Sequence, residues 1–160
     1  NFKNDIMETL VKNQVRNEEL VLDLNQLLAD LHVYYQNLRG LHWNVKGSLF
    51  FVLHEKYEEY YNHTSEVIDE VAERILMIGG KPIHSFSDYL AISKLSEVKN
   101  MTDGLESIQL VITQTETLHQ EMSELQNKAS ELNDEGTNSM LSDLISETEK
   151  RLWMLKTVLS

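Results

Sequence analysis

Cysteine is absent from the chain, which excludes disulfides, thiolate metal sites and a cysteine nucleophile. Basic residues are scarce: 14 Lys and Arg stand against 26 Asp and Glu, a net charge of −12. That balance argues against a general affinity for nucleic acid or anionic membrane. No run of about 18 apolar residues occurs, so no membrane-spanning helix is expected. The start lacks the basic-then-apolar pattern of a signal peptide, and a cytoplasmic protein is the expectation. Proline occurs once, glycine 6 times, and neither falls between Gly47 and Gly79. With 160 residues, the chain is long enough for one domain with a proper core and too short to expect two.

What is present is helical periodicity. From Ser48 to Ile78 the chain runs without a breaker and stops at Gly79-Gly80-Lys81-Pro82, a strong helix stop. Leu53, Tyr57, Tyr60, Thr64, Val67, Val71, Ile75 and Ile78 recur at three- and four-residue steps, so the stretch reads as one long amphipathic helix. With Leu53 at zero, His54, Glu58, Asp69 and Glu73 fall at roughly 100°, 140°, 160° and 200° on the helical wheel, outside the core seam.

These four residues form two i,i+4 pairs, His54 with Glu58 and Asp69 with Glu73, and such pairs meet on a helix surface. The pairs lie 15 positions apart, roughly 22 Å along the axis, too far for one metal ion to bridge. If both serve one site, they come from different copies of the chain. A two-fold dimer with this helix antiparallel to its mate would join them and create two equivalent sites. Taken alone, carboxylate pairs arise freely in so acidic a chain and read as solvated surface.

The remaining pattern completes an all-α chain. Residues 1–16 carry a weak amphipathic pattern (Phe2, Ile6, Leu10, Val11) and are expected as a short N-terminal arm or helix, with the bundle domain spanning 17–160. The first bundle helix is expected to start near Asn17 as N-cap. Its stripe is Leu20, Leu24, Leu27, Leu28, Leu31, Tyr35 and Leu38, with Gly40 as an end or a tolerated interruption. After Pro82 a crossover follows, carrying a short helix capped by Ser87. A third long helix starts at Thr102 or Asp103 with Leu105, Ile108, Ile112, Thr115, Leu118, Met122, Leu125 and Leu132. A fourth follows Asp134-Glu135-Gly136-Thr137 with Leu141, Leu144, Ile145, Leu152, Leu155 and Val158. Four amphipathic helices with a long second connection give a ferritin-like four-helix bundle, since an up-down-up-down bundle needs only short turns. Glu116-x-x-His119 has the form of half a di-iron bundle motif, but such sites need two copies and only one is present.

Leu41-His42-Trp43-Asn44-Val45-Lys46-Gly47, Phe50-Phe51-x-Leu53-His54-Glu55-Lys56-x-Glu58-Glu59 and Ile68-Asp69-Glu70-x-Ala72-Glu73-Arg74 together closely resemble the Dps family of miniature ferritins. Gly79-Gly80-Lys81-Pro82 and Glu149-Lys150-x-x-Trp153-Met154-Leu155 extend the likeness, which covers nearly the whole chain after about residue 18.

The resemblance implies a dodecameric cage that stores iron and protects against oxidative stress. It implies ferroxidase sites, two irons each, between two-fold related subunits, with hydrogen peroxide as the preferred oxidant. Carried over position by position, the catalytic and metal-binding residues are His42, His54 and Glu58 of one chain with Asp69 and Glu73 of its mate. Glu58 stands where the family often has Asp. This donor set suits iron and tolerates zinc, cobalt or manganese. Trp43, beside the first ligand, is expected as packing and a radical sink, or as ordinary interface burial. Glu55, Glu59, Glu66 and Glu70, at roughly 200–260° on the wheel, are read as cavity lining and mineral nucleation, or as solvated surface. Asp134 and Glu135 are expected at an iron-entry pore or merely as complements to a helix N-terminus; Ser139 stands where an Asp is often found.

The competing function is a DNA-binding, nucleoid-structuring protein with little ferroxidase activity. In the family that role commonly uses a Lys/Arg-rich tail, absent from both ends of this sequence, and the charge opposes it. A gel shift at low and moderate salt separates the two.

Overall fold

The absence of glycine and proline before Gly40 lets the first helix run far longer than its core stripe requires. In a computed structural model, which describes residues 2–160 apart from the Arg16 side chain, α1 spans Phe2–Asn44. It is followed by α2 (Phe50–Met77), α3 (Phe86–Ile92), α4 (Gly104–Glu131) and α5 (Glu135–Val158). The expected all-α bundle is therefore found, with α3 lying in the long crossover between α2 and α4.

Helices α1 and α2 pack as one hairpin and α4 and α5 as another, with α1 also against α4 and α3. The α2 face toward the core is Leu53, Tyr57, Tyr60, Thr64, Val67, Val71 and Ile75, seven of the eight residues in its sequence stripe; Ile78 is half-buried. The helix ends in a paired-bond cap, Gly79 N–H donating to Leu76 O at 3.0 Å and Gly80 N–H to Ile75 O at 2.8 Å. Gly79, at φ 87°, occupies the left-handed position such a cap requires.

Three buried polar side chains of α1 hold the crossover. Asn25 binds Lys81 O and Ile83 N–H, Asp30 receives three bonds from residues 93–95, and Asn37 binds Ser96 O and Val98 N–H. These contacts satisfy backbone groups that a loop over the surface leaves without sheet or helix partners.

Several expectations are corrected. Asn17 is not an N-cap: nothing in the preceding residues breaks the helix, so it passes straight through, and residues 2–15 form an exposed helical extension. Asn1, the first residue of the expected arm, lies outside the described residues. Of the two readings of Gly40, the tolerated interruption is the one found: it is an interior residue of α1. The α3 cap is Ser85, whose extended backbone lets its side chain accept from Asp88 N–H, while Ser87 lies within the first turn. Leu105 and Val158 are exposed, and Tyr34 rather than Tyr35 is fully buried. Asp103 and Asp134 cap α4 and α5 by accepting from Glu106 N–H and Thr137 N–H.

Candidate metal centre

Two histidines from different helices meet at the α1–α2 turn. His42 lies in the last turn of α1 and is 7% exposed; His54 is half-buried in α2. The Lys46 N–H, which would bond His42 O if α1 continued, instead donates to Thr102 O at 2.8 Å. That leaves the His42 carbonyl among the partnerless groups of a helix end. The His54 ring takes it: Nδ1 lies 2.8 Å from His42 O, and reciprocally His42 Nδ1 lies 2.6 Å from His54 O.

A carbonyl oxygen only accepts, so both Nδ1 atoms carry the hydrogen. With Nδ1 so engaged, Nε2 is the nitrogen each ring has left to offer a metal, and the neutral Nδ1–H tautomer is the form in which imidazole ligates through it. Aromatic packing fixes the rings: they stack at 3.8 Å and 13°, Phe50 stacks on His54 at 5.0 Å, and Tyr61 meets His42 edge-on at 5.4 Å. The sequence points to Phe50 only as part of a longer motif and to Tyr61 not at all, although they stand four residues before and seven after His54, on its helix face.

Glu58 is exposed one turn beyond His54. Asp69 and Glu73 are exposed much further along α2, roughly 22 Å away at the helical rise. Among the described residues no three His, Asp or Glu side chains gather as a metal-holding group. One chain thus brings His42 and His54 together but not the two acidic residues.

Trp43 is 56% exposed, and the Arg39 guanidinium lies over its ring at 4.9 Å and over Tyr35 at 5.5 Å. Glu55, Glu59, Glu66 and Glu70 are all exposed, Glu59 pairing with Lys56 at 2.7 Å. Asp134 is committed elsewhere: it caps α5, accepts from the Thr137 hydroxyl at 2.6 Å and pairs with Arg74 at 2.6 Å. Partial burial pushes its pKa up, but the bonds from Thr137 and the Arg74 charge outweigh this and hold the carboxyl below the ordinary Asp value. Glu135 is exposed beside it, and Ser139 is exposed one turn on. Glu116 and His119 serve contacts between α4 and α5, with Lys156 at 2.6 Å and Glu149 at 3.0 Å.

Residues 21–160 match the family model described as a ferritin-like domain, which fixes the class. A DNA protection during starvation protein of Porphyromonas gingivalis is 40% identical, over 85% of this chain and 86% of its own length. The crystal structure of the Dps protein of Vibrio cholerae, described as a member of a broad superfamily of ferritin-like diiron-carboxylate proteins, superposes with a TM-score of 0.90 at 41% identity, covering 91% of this chain and 92% of that one. A zinc-soaked Dps structure from Listeria innocua gives 0.85 at 30% identity, covering 88% and 95%. The chain belongs to the Dps family of ferritin-like proteins. No described helix is long and apolar enough to cross a membrane.

Proposed function

We propose that this protein oxidises Fe(II) and stores the ferric product, with each reaction site built from two copies of the chain. The observation that carries this reading is the reciprocal bonding of His42 and His54, which leaves two Nε2 lone pairs on pre-ordered rings. A site held in place before its metal arrives loses little to reorganisation. His42, His54 and Glu58 of one chain supply one half. Asp69 and Glu73 of a two-fold mate, its α2 antiparallel, supply the carboxylates that a single chain keeps at a distance. Glu58, one methylene longer than Asp, holds the second of two irons more loosely.

Fe(II) is the substrate and hydrogen peroxide the preferred oxidant. Two Fe(II) and one H2O2 with two protons give two Fe(III) and two water molecules. Taking both electrons together avoids the single-electron cleavage that releases hydroxyl radical. Trp43, beside His42, is placed to intercept stray oxidising equivalents. Within a homo-oligomeric cage, a dodecamer in this reading, Glu55, Glu59, Glu66 and Glu70 offer carboxylates for ferric nucleation. Glu135 is the stronger pore candidate, since Asp134 is engaged by Arg74.

Stopped-flow oxidation of Fe(II) by peroxide tests the reading. The wild type should accelerate it, and His54→Ala or Asp69→Ala should each slow it at least about tenfold, since loss even of outer-sphere partners has effects of that order. An Asp69→Ala variant as fast as wild type would sink the shared-site reading.

A further inference from the structure

Away from the histidines, α4 buries an acid with no donor. Glu121 is 6% exposed, and neither of its carboxyl oxygens has a hydrogen-bond partner among the donors of the described residues. The group facing it within hydrogen-bonding reach is Asp30 of α1, itself a carboxyl and fully buried. Asp30 is well supplied: Oδ1 accepts from Ser93 Oγ at 2.7 Å, Lys94 N–H at 2.6 Å and Leu95 N–H at 3.3 Å, and Oδ2 from Gln26 Nε2 at 3.2 Å. Asp30 thus accepts four hydrogen bonds, whereas Glu121 accepts none. Two adjacent carboxylates shut away from water do not both stay ionised, so one positive charge belongs at Glu121.

Its source follows by elimination. A cavity of about 280 Å³ adjoins Glu121 and is lined also by Asp23, Gln26, Lys94, Glu124 and Lys128. The Lys128 ammonium is bound to Asp23, and the Lys94 ammonium does not bond Glu121. A metal ion would need further ligands, yet the Glu121 oxygens are enclosed, Asp23 is taken by Lys128, and among the described residues no three acidic or histidine side chains gather as a metal-holding group. A proton needs none.

We infer that Glu121 carries a proton at neutral pH and donates it to Asp30, forming a carboxyl–carboxylate latch that clamps the α3–α4 segment of the crossover to the bundle. Burial first, then the Asp30 carboxylate, push the Glu121 pKa up to about 9, with Lys94 opposing and Glu124 adding to the rise. Asp30 is what binds Ser93, Lys94 and Leu95, so ionising Glu121 sets a repulsion against the residue that holds the crossover.

The sign of the pH effect follows. The folded chain keeps this proton, whereas the unfolded chain releases it above the ordinary Glu value of about 4.3. Stability from the latch is therefore complete at acid pH and lost as the pH rises through that window toward about 9.

The test compares full-length wild type with Glu121→Gln, whose amide can donate to Asp30 without titrating. The ratio of their unfolding equilibrium constants, wild type over variant, should rise about tenfold per pH unit between about pH 5.5 and 8.5. Amide exchange at Lys94 and Leu95, corrected for base catalysis, should quicken in alkali in the wild type alone. A ratio flat with pH overturns the latch. So does a carbon-13 carboxyl shift showing Glu121 of the wild type ionised at neutral pH, the outcome a bound cation would give.

Discussion

At the scale of single residues, the decisive feature is where hydrogens sit. His42 and His54 each spend Nδ1–H on the other's carbonyl, which leaves Nε2 free on both. Asp134 shows the opposite case, an acid exposed by its sequence context yet fully employed by Arg74 and Thr137. Asp134→Ala removes the α5 N-cap and leaves the half-buried Arg74 without its carboxylate, and should lower stability by about 1–2 kcal/mol at neutral pH. Because the folded pKa lies below the ordinary Asp value, this contribution is present above about pH 4 and is lost as the pH falls through the folded value. Denaturant titrations should therefore show the gap between variant and wild type closing in acid. A gap that stays constant down to strongly acid pH would exclude the ion pair as its cause.

At the scale of elements, the junctions are set by tight backbone approaches. Gly80 follows α2 against α1, where an added Cβ would lie 2.5 and 2.7 Å from the two Val21 methyl carbons. Val21 is β-branched and stiff, so it does not swing aside freely. Gly80→Ala should destabilise by about 1–3 kcal/mol, as overpacking does, read from the chemical-denaturation midpoint. A midpoint unchanged from wild type would mean that the α1–α2 junction is looser than drawn. At the other end of the hairpin, the bond from Lys46 N–H to Thr102 O ties the α1–α2 turn to the start of α4. It is that diversion of Lys46 which frees His42 O for the His54 ring.

At the scale of the whole molecule, a half-site on each chain makes a distinctive prediction about mixtures. His54→Ala and Asp69→Ala chains are each defective in both sites of their own dimers. In a mixed dimer, one site carries both lesions and the other carries none. Unfolding and reassembling the two variants together should restore about a quarter of the wild-type sites, given random pairing into two-fold dimers. Peroxide-driven Fe(II) oxidation reads the recovery. Activity no greater than that of the separate variants would show that the two residue pairs do not meet across subunits.

Local pattern alone determined the helices and the division of labour along α2. Periodicity at three and four residues, with glycines and caps at the ends, depends only on neighbours in the chain, and it placed seven of the residues that α2 buries. The same arithmetic separated His54 and Glu58 from Asp69 and Glu73, because rise per residue is fixed within a helix. What needed tertiary structure was every contact between residues far apart in sequence. The first helix does not start at Asn17, because local capping preference cannot show that the preceding turns simply continue. The engagement of Asp134 by Arg74, the seating of Tyr61 on His42 and the pairing of Glu121 with Asp30 all arise where separate helices close on one another. Composition names the groups at such places, but the proton positions there are set by packing, which brings donors to one carboxyl and withholds them from its neighbour.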